Sequence, residues 1–142
     1  MGIRRAGLIL FLCGNMVSGH AFAGDVVVIA HPSVPRLDSV MVERIYTGKI
    51  VEVGGVRVTP LDLVAGHPLR GRFLARWLDR DEERYSAYWT VRRYVGKGVP
   101  PSQVPTTAEM IRRVGATPGA VGYVDEADMK GDVKAGLNVL VR

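Results

Sequence analysis

The 142-residue chain contains one cysteine, Cys13. A single thiol cannot close an internal disulfide, and it gives no thiolate cluster for zinc or an iron–sulfur centre. Aromatic residues are scarce at 7%, so the core must be built mostly from Val, Leu, Ile and Ala. Beyond residue 23 no apolar run approaches the roughly 20 residues needed to span a bilayer. There is no internal repeat, low-complexity tract or linker. Only His31 and His67 remain after the first 23 residues, and no Ser-His-Asp pattern accompanies them. The sequence therefore offers no catalytic residues and argues against an enzyme. The length suits one domain and is too short for two full lobes.

The first 23 residues read as an export signal. Arg4 and Arg5 form a positive start, Ala6 to Val17 is a short apolar stretch, and Ala21-Phe22-Ala23 supplies the small residues a signal peptidase reads. An uncleaved anchor, a buried N-terminal helix and a lipoprotein at Cys13 are the alternatives. The last lacks a small residue just before the cysteine. Cleavage after Ala23 leaves 119 residues with 17 basic and 14 acidic side chains, a net charge of +3. The expected product, residues 24–142, is one soluble periplasmic domain.

Val26-Val27-Val28-Ile29-Ala30 is a continuous apolar run, as in a strand buried on both faces of a parallel sheet. Asp38 caps a helix from Ser39 to Tyr46 with Val42, Ile45 and Tyr46 inward, and Gly48 sits where a left-handed residue ends a helix. Val51 to Val58 alternates around Gly54-Gly55, a two-residue hairpin signal that continues through Pro60 to Leu63. A second helix opens at Pro68, with His67 at the cap. Leu69, Phe73 and Trp77 recur every fourth residue, beside Leu74 and Leu78. Arg72, Arg76 and Arg80 recur on another side. Asp79, with Glu82 three residues on, is expected to cap a third helix. Its apolar face is Tyr85, Tyr88, Trp89 and Val95, and it ends at Gly96. Lys97 to Pro105 reads as a connection. Thr106 and Glu109 frame a fourth helix facing inward with Met110, Ile111 and Val114. Pro118-Gly119 turns into a strand, Ala120 to Val124, and Leu137 to Val141 is the last strand. This order predicts an α/β domain with one mixed sheet.

The acidic groups have structural readings. Asp79, Asp81, Glu82 and Glu83 offset a helix dipole. Asp125, Glu126 and Asp128 lack the spacing of a calcium loop. Asp62 and His67 are too few for a metal site, so no metal and no cofactor is expected. Arg92-Arg93 and Arg112-Arg113 point about 100° apart within each pair. With a charge of only +3 and export, nucleic acid is not an expected partner. The Gly66-to-Arg70 segment stands out: a glycine precedes a helix start whose bare N–H groups and positive dipole end can hold an anion. Arg70 could fork onto a phosphate or carboxylate, and His67 could donate an imidazole N–H.

Several segments occur in a recognisable order: Val27-Val28-Ile29, Arg44-Ile45-Tyr46-Thr47-Gly48-Lys49, Gly66-His67-Pro68-Leu69-Arg70 with Phe73, Tyr88-Trp89, and Pro118-Gly119-Ala120-Val121-Gly122-Tyr123-Val124. Together they resemble the short, single-lobe relatives of phosphate ABC transporter substrate-binding proteins, within the periplasmic binding protein class. The resemblance covers roughly residues 26 to 141. It implies a single periplasmic-binding-protein-like α/β lobe with helices flanking a mixed sheet. It also implies phosphate or a similar small anion as ligand, an ABC permease or other envelope protein as partner, and no enzymatic activity. In full-length members an Arg-x-Asp-Gly-Ser-Gly-Thr type loop holds the ion. Here Gly66 matches the first glycine, His67 stands for serine, Pro68 for glycine and Leu69 for threonine. The expected ligand-binding residues are therefore Gly66, His67, Leu69 and Arg70. The alternative is an envelope interaction module that keeps the fold without the ligand.

Overall fold

The computed structural model describes residues 24–140. The expected export signal, Cys13 and the last two residues of the chain lie outside the described residues. The elements are β1 (Val26–Ala30), α1 (Ser39–Tyr46), β2 (Glu52–Val53), β3 (Val56–Arg57), β4 (Thr59–Leu63), α2 (Pro68–Phe73), α3 (Glu82–Tyr94), β5 (Ser102–Val104), α4 (Thr107–Ala116), β6 (Ala120–Asp125), α5 (Gly131–Gly136) and β7 (Asn138–Leu140). A π turn, Leu74–Leu78, continues α2, and a 3₁₀ turn, Glu126–Asp128, follows β6.

Five strands form one sheet in the order β5-β4-β6-β1-β7, and β2-β3 is a separate hairpin. β4 runs parallel to β5 and β6, whereas β1 is antiparallel to β6 and β7. The mixed α/β sheet is therefore as expected, but β1 has no parallel neighbour. All five β1 residues are buried all the same. An apolar run reports cover on both faces and is silent about strand direction.

Alternation along β6 shows how the two faces are covered. Gly122 faces α4: a Cβ there would come 2.5 Å from Met110 Sδ and 2.9 Å from Val114 Cγ2. The next residue, Tyr123, stacks on Phe73 of α2, with centroids 3.8 Å apart, and meets Tyr46 of α1 edge-on. Helices thus cover both sides of the central strand.

Local chemistry accounts for most helix ends. Asp38 accepts from Met41 N, and Thr106 from Glu109 N. Gly48 and Gly96 adopt positive φ at their helix ends. The third helix is capped by Asp81, which accepts from Arg84 N, and not by Asp79. Asp79 is itself left-handed, φ 52°, at the end of the π turn. Val95 is exposed rather than part of the inner face. The expected connection after Gly96 contains β5, and α5 forms ahead of the last strand.

β4 and β6 pair through only two registers, Thr59↔Ala120 and Pro60↔Val121. Beyond them, phenols take the backbone groups between the strands. Tyr46 Oη donates to Leu61 O at 2.8 Å and to Val121 O at 3.3 Å, and Leu63 N donates to Tyr123 Oη at 3.1 Å. This opening lets a carboxylate, Asp62, sit inside the domain.

Candidate functional site

The chain leaves β4 at Leu63, turns at Gly66 (φ 87°) and enters α2 at Pro68. This places Gly66, His67, Leu69 and Arg70 in one turn, as their sequence proximity requires. Their groups point in different directions. His67 is the N-cap, and its Nδ1 accepts the Leu69 N–H at 3.2 Å. Arg70 N donates to His67 O at 3.0 Å, and Pro68 has no N–H. The first-turn donors are thus held within the turn. The Leu69 side chain is buried in the core.

Arg70 faces inward and is 5% exposed. Its Nε and Nη2 form a fork on the Glu82 carboxylate at 2.8 and 2.7 Å. Nη1 donates to Leu63 O at 2.8 Å and lies 3.2 Å from Asp62 Oδ2. Tyr123 Oη donates to the other Asp62 oxygen. Burial alone would lower the Arg70 pKa, but the Glu82 hydrogen bonds and the Asp62 charge outweigh it and the net shift is upward. Burial pushes the Asp62 carboxyl up, and the Tyr123 hydrogen bond and Arg70 charge only partly oppose it. Burial likewise pushes the Tyr46, Tyr85 and Tyr123 phenols up. With both acids ionised, the cluster carries two negative charges around one positive charge. Arg70 is compensated before any ligand arrives.

Sequence reading placed Asp62 beside His67 as a weak metal pair and Glu82 in a capping box. The structure gives both carboxylates to Arg70. The partners lie 8 and 12 residues away and come together only once β4, α2 and α3 have packed. Tyr123, from β6, was legible in the sequence only as part of a strand, not as a member of this cluster. Among the described residues no group of three or more His, Cys, Asp or Glu is placed to hold a metal ion.

Other basic groups are also engaged. Arg72 bonds Asp125 at 3.0 Å and the Gly24 carbonyl. Arg80 lies over the Tyr88 ring at 4.7 Å. Arg112 and Arg113 share the Glu109 carboxylate. The sequence-predicted Arg72/Arg76/Arg80 stripe is therefore not an open cationic face.

Three crevices border these elements, one of them, of about 390 Å³, against Asp25, Val26, Arg72 and Arg76. Another, of about 170 Å³, lies against Asp62, Arg70, Tyr85, Trp89, Arg93 and Gln103. The third, of about 560 Å³, lies between the loop after β1 and the last strand, against Val28, Val34, Leu37 and Leu140. No described helix is long and apolar enough to cross a membrane.

This architecture is that of an α/β lobe of the periplasmic-binding-protein type, and solved structures agree. PstS from Borrelia burgdorferi matches with a TM-score of 0.62 and 17% identity, over 82% of this chain and 46% of its own. An ABC-type phosphate transport receptor from Vibrio cholerae matches with a TM-score of 0.59 and 16% identity, over 82% and 45%. A phosphate ABC transporter substrate-binding protein with bound phosphate from Clostridium perfringens matches at 0.50 and 18%, over 75% and 41%. The chain thus spans less than half the length of these proteins. No family model and no curated protein matches the sequence.

Proposed function

We propose that this chain is an exported, non-enzymatic binding lobe that holds a small oxyanion such as phosphate for an ABC-type transport system in the periplasm. The observation that carries this reading is the fold match over 82% of the chain to phosphate transport receptors. The proposed contacts are Gly66, His67, Leu69 and Arg70. Leu69 and Arg70 act through the backbone of the turn, because their side chains face the core. The oxyanion takes the Leu69 N–H by displacing the His67 imidazole, which then turns its own N–H to the ligand.

Titration calorimetry with phosphate and sulfate at low ionic strength tests this. Heat at millimolar ligand, abolished in His67→Asp, supports it. Aspartate keeps a competent N-cap while repelling an anion. A folded protein that gives no heat at millimolar phosphate overturns it.

A second reading is an envelope interaction module without a ligand. The specific observation in its favour is the commitment of Arg70 to Glu82, Asp62 and Leu63 O, with the first-turn amides taken by His67. It predicts no heat with phosphate and a defined partner on cross-linking in envelope extracts.

A further inference from the structure

Helix α3 carries two apolar faces. Tyr85 and Trp89 are buried on one side. At about 100° per residue, Ala87, Val91 and Tyr94 lie on the opposite side, and Val95 is the C-cap that follows. There Val91 is 61% exposed, Tyr94 92% and Val95 54%, and Val99 in the following loop is 75% exposed. A cluster of this kind at one end of a helix differs from scattered apolar surface and marks an interaction site. At the tip α3 ends at Tyr94, and Gly96 and Gly98 follow, both at positive φ. Arg92 pins the turn by donating to Lys97 O at 3.1 Å and to Gly48 O at 3.3 Å.

The tip is also basic. From Arg84 to Val104 the sequence has four basic residues and no acid. Arg84 lies 3.8 Å from Asp81 at the far end of the helix. Arg93 and Lys97, at the tip, have no side-chain hydrogen bond or ion pair among the described residues. Lys97 in the turn, and Arg93, which also borders the crevice against Asp62 and Tyr85, flank the exposed tyrosine and valines and give an amphipathic edge. The apolar part is a few side chains, small beside the roughly 800 Å² per partner of a standard protein interface. It suits a fluid surface, where a tyrosine sits at headgroup depth and nearby Lys and Arg meet lipid phosphates.

We propose that the C-terminal tip of α3, Val91–Val99, docks on an anionic phospholipid bilayer, with Tyr94, Val95 and Val99 in the headgroup region and Arg93 and Lys97 on the phosphates. This surface is separate from the Gly66–Arg70 turn and does not depend on whether that turn binds an oxyanion. Docking is peripheral and weakens with salt.

The test uses the full chain carrying Tyr94→Trp and vesicles of brominated phosphatidylglycerol and phosphatidylcholine. Trp77 and Trp89 also fluoresce, so the signal read is the quenching gained over the unsubstituted chain, which reports position 94. The proposal expects quenching by the anionic vesicles, reversal at 0.5 M salt, and at least about a tenfold weaker partition when Arg93→Glu and Lys97→Glu are added. All these sites are exposed, so circular dichroism should stay native. Absence of quenching, equal quenching by pure phosphatidylcholine, or quenching indifferent to the charge reversals overturns it. Self-association in solution that Tyr94→Ser abolishes also overturns it, in favour of a second copy of the chain.

Discussion

Tyr123 and Asp62 share a buried hydrogen bond across the gap where β6 and β4 stop pairing. The same phenol accepts the Leu63 N–H at 3.1 Å. One hydroxyl therefore serves a side chain and the main chain together, and its loss leaves a donor and an acceptor dry. Tyr123→Phe is expected to cost about 1–3 kcal/mol in urea unfolding. Tyr88, whose hydroxyl donates to Thr47 O at a partly buried site, provides a milder comparison as Tyr88→Phe.

Asp62 gives this cluster an unusual pH dependence. Its folded pKa is raised, chiefly by burial. A raised carboxyl binds its proton more readily folded than unfolded, so ionisation costs the folded state. The Asp62 contribution is most favourable below the unfolded value, about 3.9, and is lost as pH rises through the folded value. The stability difference between wild type and Asp62→Asn, followed against pH, should isolate this trend. Tyr123→Phe removes a hydrogen bond that lowers the pKa, and should move the window upward.

Arg70 is the positive member of a buried group. Arg70→Met strands Asp62 in the interior and is expected to cost about 3–5 kcal/mol. Arg70→Met with Asp62→Leu should recover much of that loss, because no buried charge then lacks a partner. Urea midpoints for the two single variants and the double variant complete the cycle.

Glu109 is held at about 2, first by the Arg112 hydrogen bonds; desolvation opposes them, and the Arg113 hydrogen bond and the two guanidinium charges add to the lowering. Its folded pKa is depressed, so its stabilising effect is present above the ordinary glutamate value and is lost as pH falls through about 2. Carbon-detected NMR titration should place the midpoint there. Arg112→Ala with Arg113→Ala should return it towards the ordinary range.

Two glycines should respond differently to alanine. At Gly122 the new methyl meets Met110 Sδ and Val114 Cγ2, side-chain atoms that can yield. At Gly119 it meets the Arg57 carbonyl, and the backbone is at φ 82°. Gly122→Ala should cost about 1–3 kcal/mol and be eased by Met110→Ala. Gly119→Ala should cost more and find no side-chain rescue. Thermal melts of the three variants give the order.

Much of this architecture was legible in the sequence, because caps and periodicity are local. Asp38 and Thr106 cap as their types predict, and Val42, Ile45 and Tyr46 are all buried. The misses share a cause. Ser102-Gln103-Val104 is a strand only because Leu61, Asp62 and Leu63 lie alongside it. Asp79 and Asp81 are both plausible caps, and the π turn decides between them. A four-residue repeat through Phe73 and Trp77 cannot reveal that turn. For the candidate site, sequence proximity located the turn and its His67 cap, but the direction of the Arg70 side chain depends on two carboxylates from other elements.

The register of β1 with β7 sets Val28 opposite Leu140, so both ends of the described chain leave from one corner of the sheet. Paired residues in such a ladder have Cα atoms about 5 Å apart. A short loop could join the two ends, and new ones could be cut at the Gly54-Gly55 turn, giving a circular permutant that keeps every helix-to-sheet contact. By the same geometry, a tag joined directly to Gly24 or to Leu140 would hang from the same corner.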